Sequence, residues 1–275
     1  MSGHLGVGYG HAIYATTGRN PPRISLQYAI LINLLRHYFH ERKLRNSCQP
    51  SSETTPTTAG DGAFAAFLFD MDGTLVDSIA SANRVWRRWA ASHGLDPEIV
   101  LRAMHGVRAV ETVRRLNVPG MDPEHEAHIL TLAEIDDVEG IVAIKGAKAF
   151  LHSLPAERWA IVTSAPRVLA IRRLEAAGLP RPRVLVTADD VAQGKPAPDC
   201  FLLAARSLGV AARDCLVWED ALAGIRGAEA AGAAVMVVSA SHAHPIQTSH
   251  PVVTDYDSVK TVLDESGLLR LQSLS

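Results

Sequence analysis

The chain has 275 residues, enough for one large domain or two modest ones around a sizeable core. Its 27 basic and 29 acidic residues nearly cancel, which leaves neither a basic footprint for nucleic acid nor a charged face for a membrane. Its three cysteines, Cys48, Cys200 and Cys215, are too widely spaced for a metal-binding pair or a disulfide framework, and read as buried free thiols in a reducing cytoplasm.

Residues 1–62 differ from the rest. Met1–Gly18 carries no charged side chain and is rich in Gly and His. Ile24, Tyr28, Leu31, Leu35 and Tyr38 fall at helical spacing, and residues 46–62 are rich in Ser, Thr and Pro. The apolar run Tyr28–Leu35 is too short to span a bilayer and lies too far from the start for a secretory signal. The expectation for 1–62 is a poorly ordered extension and linker, with targeting or partner binding as the alternative and no catalytic role.

The apolar run Ala63–Phe69 predicts a buried strand. It breaks into Asp70-Met71-Asp72-Gly73-Thr74-Leu75-Val76-Asp77-Ser78. Residues two apart in an extended segment point the same way, so Asp70 and Asp72 would meet at the strand's carboxyl end. Their repulsion is tolerable with a cation between them or a proton on one, a setting for Mg²⁺ with acid/base or nucleophilic chemistry.

From Ile79 to about Lys145 the pattern is helical. Ile79, Ala82, Val85, Trp86, Trp89 and His93 share one face, and Gly94 is placed to end that helix. Asp96-Pro97-Glu98 and Asp122-Pro123-Glu124 each read as an N-cap followed by proline and an acid. Further helices are predicted over Pro97–Met104, Val107–Leu116 and Pro123–Asp137. So long an insertion exceeds a simple crossover and reads as a small separate domain, residues 79–145, with Trp86 and Trp89 in its core. Within it, His105-Gly106-Val107-Arg108 marks a turn between helices, either a set of phosphate or hydroxyl ligands or an ordinary solvated turn.

After Gly146 helices and strands alternate. Helices are predicted over Ala147–Leu154, Pro166–Ala177, Pro198–Leu208 and Ala221–Ala231, and strands over Trp159–Thr163, Arg183–Val186, Cys215–Trp218 and Ala234–Val238. Short links between them imply a parallel sheet covered on both faces. Right-handed crossovers place every strand's carboxyl end on one rim. Asp70 and Asp72, Thr163-Ser164, Glu219-Asp220 and the Gly194-Lys195-Pro196 loop would converge there.

These motifs, in this order, resemble those of the haloacid dehalogenase superfamily of phosphohydrolases, and the resemblance covers about residues 64–255. Its motifs are nearest in wording to bacterial sugar phosphatases and glycerol-phosphate phosphatases, and the placement of the insertion resembles the helical cap of sugar phosphatases and β-phosphoglucomutase. It implies an α/β fold with a Rossmann-like parallel-sheet core, residues 63–78 and 146–275, and an inserted small α-helical cap, residues 79–145. Lys145-Gly146-Ala147 departs from the Pro-Gly-Ala common in relatives, which should alter the stiffness of the cap's exit hinge rather than the chemistry.

The resemblance implies Asp70 as nucleophile, Asp72 as general acid and base, and Thr163 and Lys195 as phosphate-binding catalytic groups. Mg²⁺ would be held by Asp70, the Asp72 carbonyl and Asp220, with Glu219 orienting that set. Ser164 would add a backbone donor, and His105, Gly106 and Arg108 resemble an H-G-x-R stretch that meets the substrate. The expected activity is Mg²⁺-dependent hydrolysis of a small sugar or polyol phosphate by a cytoplasmic monomer, without nucleic-acid or membrane partners. A phosphomutase using Arg108, Arg114 or Arg115 as a second phosphate clamp is the first alternative, and a non-catalytic scaffold the second. Dehalogenation is not expected, because Asp72 supplies an acid/base that such a reaction does not need.

Overall fold

A computed structural model describes residues 62–242 and 247–274, so the sequence expectations for residues 1–61 lie outside the described residues. The chain enters through β1 (Ala63–Phe64) and β2 (Ala66–Phe69), then turns through β3 (Val76–Asp77) into four helices. These are α1 (Ile79–Ser92), α2 (Pro97–Met104), α3 (Ala109–Leu116) and α4 (Pro123–Asp136). Strand β4 (Val142–Ala143) returns antiparallel to β3, so the insertion's entry and exit are tied side by side.

The remaining chain alternates α5 (Ala147–Ser153), β5 (Trp159–Val162), α6 (Arg167–Ala176), β6 (Val184–Val186), α7 (Asp199–Ser207), β7 (Cys215–Glu219), α8 (Leu222–Ala230) and β8 (Ala234–Val238). A short β9 (Val252–Val253) follows, then β10 (Val259–Leu263) and β11 (Leu269–Ser273). Strands β6-β5-β2-β7-β8-β9 form one six-stranded sheet in which every pairing is parallel. The predicted α/β class, with its Rossmann-like sheet and inserted helical cap, is the observed one.

Strand alternation splits the core in two. Phe67, Phe69, Trp159, Ile161, Leu216, Trp218, Met236 and Val238 face α5, α6 and the C-terminal hairpin. Their immediate neighbours Ala66, Leu68, Ala160, Val162, Cys215, Val217, Val235 and Val237 face α7 and α8. A third cluster, containing Val85, Trp86, Trp89, Val100, Leu116 and Leu130, closes the helical insertion on itself, so both tryptophans belong to its core. Cys200 and Cys215 are buried free thiols.

Two differences from the sequence expectations have clear causes. Helix α3 begins at Ala109 rather than Val107, because Gly106 is left-handed (φ +71°) and Arg108 is extended (φ −61°, ψ 141°). The β10–β11 hairpin was not anticipated, although its turn is readable. Asp264 accepts the backbone N–H of Ser266 and Leu268, and Gly267 takes a φ of +76°. This hairpin pairs with β1 through β11.

Phe69 is the pivot of the larger core. It is fully buried, with its ring 5.7 Å from Trp218, 6.2 Å from Phe150 and 6.3 Å from both Trp159 and Tyr256. Removing it leaves a cavity that four rigid rings cannot collapse into. Phe69→Ala is expected to lower unfolding free energy by about 3–5 kcal/mol, and Phe69→Leu by clearly less, measured by urea denaturation.

Candidate active site

Asp70 is the first residue beyond β2, and its backbone N–H donates to the Trp218 carbonyl on the neighbouring strand at 2.9 Å. Gly73, with a φ of +92°, lets the chain reverse immediately after the acid pair. Thr163 follows β5, Glu219 ends β7, and Asp220 comes next. The strands are parallel, so these three ends lie on one edge of the sheet.

The loop before α7 lifts Lys195 into this edge, where it is 1% exposed. Its ammonium donates to Asp70 Oδ1 at 2.5 Å, to Glu219 Oε1 at 2.7 Å and to the Val162 carbonyl at 3.0 Å, which uses all three donors. Burial alone would lower the lysine's pKa, but the charges of Asp70 and Glu219 outweigh it and hold the ammonium well above its usual range. Glu219 also accepts the backbone N–H of Asp220 at 2.9 Å and of Ala221 at 2.8 Å, so it shapes the turn that presents Asp220.

Asp70, Glu219 and Asp220 each offer a carboxylate oxygen within 4.8 Å of the other two. Three carboxylates against one ammonium give a formal charge of −2 in a site where none of the four is more than 7% exposed. Burial, reinforced by the neighbouring carboxylates, raises the pKa of Asp70 and of Glu219. The cluster contains no His or Cys ligand, so its charge and donor set fit a hard divalent cation such as Mg²⁺.

Asp72 does not join that cluster through its side chain. Its Oδ1 accepts from Ser78 Oγ at 2.7 Å, and its Oδ2 pairs with Arg173 at 3.0 Å. Thr163 Oγ1 accepts the Ala165 N–H at 3.0 Å, which leaves its own hydroxyl proton free to be donated elsewhere. Ser164 Oγ donates to the Gly106 carbonyl at 3.0 Å, one of the links between the insertion and the core.

Asp70, Asp72, His105, Gly106, Thr163, Ser164 and Asp220 all line one cavity of about 100 Å³ between the sheet rim and the helical insertion. Burial lowers the pKa of His105. A side chain at Gly106 would put its Cβ 2.6 Å from that of Ala221, so only glycine allows this turn to rest on the core. Arg108 is not among the lining residues. It pairs with Glu111 and donates to the carbonyls of Val191 at 3.2 Å and Ala192 at 3.0 Å, fastening α3 to the loop that carries Lys195.

Several residues here were missed by the sequence reading. Ser241 donates to the Gly73 carbonyl at 3.0 Å, and His242 stands 3.6 Å from Asp220, whose carboxylate raises its pKa. Arg173, 5% exposed, bridges Asp72 to Glu134 of α4, with 3.0 Å to each. The signal for Arg173 was a charge on the buried face of α6 that also carries Leu169, Ala170 and Leu174.

This fold and rim define a haloacid dehalogenase-type hydrolase. A family model described as haloacid dehalogenase-like hydrolase matches residues 64–232, and the chain belongs to that family. It is 45% identical over 178 residues to hexitol phosphatase A of Escherichia coli, spanning 63% of this chain and 82% of that protein. Glycerol-1-phosphate phosphohydrolase 2 of Saccharomyces cerevisiae is 32% identical over 186 residues, spanning 63% and 74%. A hydrolase from Pseudomonas syringae superimposes with a TM-score of 0.60 at 27% identity, over 66% of this chain and 87% of that one.

Replacing Lys195 by Met keeps the volume and strips the carboxylates of their internal counter-charge. Lys195→Met is expected to destabilise the fold by about 3–5 kcal/mol in EDTA, with part of the loss recovered in excess Mg²⁺, as read by urea denaturation.

Proposed function

We propose that the protein is a Mg²⁺-dependent phosphatase that hydrolyses a small sugar or polyol phosphate through an aspartyl-phosphate. The observation that carries this reading is the convergence of Asp70, Asp72, Thr163 and Asp220 on one small cavity beneath the helical insertion, with Lys195 paired to Asp70. The names of the relatives, a hexitol phosphatase and a glycerol-1-phosphate phosphohydrolase, support the substrate class.

Asp70, Asp220 and Glu219 would hold the cation, which when bound neutralises the carboxylates and draws charge from the phosphoryl oxygens. Asp70 attacks phosphorus as its P–O bond to the leaving group breaks. Asp72 gives its proton to the departing oxygen, then accepts one from the water that attacks the aspartyl-phosphate. The second displacement releases inorganic phosphate and restores the Asp70 carboxylate. Lys195, the Thr163 hydroxyl and the Ser164 backbone N–H stabilise charge on the transferring group. The insertion, docked through Gly106 and Arg108, excludes bulk water during both steps.

The mutase alternative needs a cation to clamp a second phosphate. Arg108 is paired with Glu111 and Arg114 with Glu124, and neither they nor Arg115 line the cavity. Arg173 does line it, but its guanidinium is already shared between Asp72 and Glu134, so phosphatase chemistry fits better.

Asp70→Asn is expected to lower kcat by at least about a thousandfold in a phosphate-release assay while leaving the thermal unfolding profile intact. Unaltered turnover in that variant refutes the mechanism. EDTA should stop wild-type phosphate release and added Mg²⁺ should restore it; full activity in metal-free protein contradicts the cation's role.

A further inference from the structure

We infer that Arg173 and Glu134 form a hydroxyl-reading pair that selects an uncharged, polyhydroxylated leaving group. This rests on the phosphatase reading above and goes on to identify what recognises the organic part of the substrate.

The two residues reach the same cavity from opposite bodies, Glu134 from α4 of the cap and Arg173 from α6 of the core. Both are charged and more than nine-tenths buried, at 6% and 5% exposure. The guanidinium spends one nitrogen on Asp72 and another on Glu134, yet its Nε–H is buried without a partner among the described residues. A buried donor left unpaired is unfavourable unless something arrives to accept from it.

Position says what arrives. Asp72 must reach the leaving-group oxygen, and Arg173 lies 3.0 Å from Asp72, so the next atoms of the leaving group fall beside Arg173 and Glu134. A hydroxyl suits both, because it accepts from the guanidinium and donates to the carboxylate. Glu134 is held for this by Trp86, whose Nε1–H donates to Oε1 at 3.3 Å. A carboxylate accepts more bonds than the two that this oxygen receives. The other walls near the pair are mostly apolar, among them Ile79, Ala82 and Leu169, and the hydroxyls of Thr131 and Ser78 already donate to the Ala127 carbonyl and to Asp72.

Charge narrows the class further. With Asp72 carrying the proton that it gives to the leaving group, Arg173 and Glu134 balance, and Arg173 is already shared between the two acids. A leaving group bearing a carboxylate or second phosphate would enter an enclosure with no surplus positive charge and no unshared guanidinium, whereas a neutral polyol meets only hydrogen-bonding groups.

Three esters on one three-carbon skeleton test this: glycerol 1-phosphate, propyl phosphate without hydroxyls, and 3-phosphoglycerate with a carboxylate. Wild-type protein with Mg²⁺ should hydrolyse glycerol 1-phosphate with a kcat/KM at least about tenfold above either other ester. In Glu134→Gln the ratio of glycerol 1-phosphate to propyl phosphate should fall by about 5- to 150-fold, the usual loss for a buried hydrogen bond broken on one side. Trp86→Phe, which frees Glu134 without removing it, should lower the same ratio less. A merely structural role would depress both esters together and leave the ratio unmoved. The inference is overturned if wild-type protein treats glycerol 1-phosphate and propyl phosphate alike, or if the ratio is unchanged in both variants. Should Glu134→Gln fail to fold, the wild-type order and Trp86→Phe decide it. Absence of phosphate release from all three esters and from p-nitrophenyl phosphate overturns the phosphatase reading, and this inference with it.

Discussion

The structure turns on one buried ammonium. Lys195 is 1% exposed and donates at once to Asp70, Glu219 and the Val162 carbonyl, which come from three different parts of the sheet rim. Charges this deep are tolerable only when paired and hydrogen-bonded, so the loop carrying Lys195 has little freedom. Glu219 passes the constraint on through its bonds to the Asp220 and Ala221 amides, and Thr74 donates to the Asp220 carboxylate at 3.1 Å. The ammonium meets only part of the negative charge of Asp70, Glu219 and Asp220, a remainder that a divalent cation could neutralise.

The helical insertion is fastened to this rim at its edge and through the cavity itself. At its base, β3 pairs with β4, while Asp137 receives Arg84 and Arg88, and its carbonyl accepts from Ser81. At its tip, Gly106 rests on Ala221, and Arg108 grips the carbonyls of Val191 and Ala192. The third tie, Arg173 to Glu134, runs through the cavity and ends on Asp72, so Asp72 and the position of the cap share one guanidinium.

Much of the core machinery was legible in the chain. Asp70, Asp72, Thr163, Glu219 and Asp220 each sit at or just past a junction where an apolar run gives way to a turn, Lys195 sits in a loop that leads into a helix, and the alternation of strand and helix sends these to one edge. The apolar periodicity of Ile79, Ala82, Val85, Trp86 and Trp89 likewise announced the helix that anchors the insertion's own core. These are local patterns, and the pitch of a helix, the pleat of a strand and the handedness of a crossover convert them into geometry without further information.

Side-chain destinations were not legible in the same way. Arg108 stood in a polar turn that looked aimed at a substrate, yet Glu111 and two carbonyls more than eighty residues away claim it. Arg173 and Glu134 were not singled out in the sequence, although each lies on a face shared with buried leucines, Leu169 and Leu174 for one and Leu130 for the other. What the sequence determined by itself was the alternation of strands and helices as far as β8 and the strand-end residues delivered to the rim, because both follow from backbone periodicity and chain connectivity. Which long polar side chain enters the cavity and which fastens its wall was decided by tertiary structure alone. An arginine's reach spans several partners, and only the packing of cap on core sets which carboxylate or carbonyl lies within that reach.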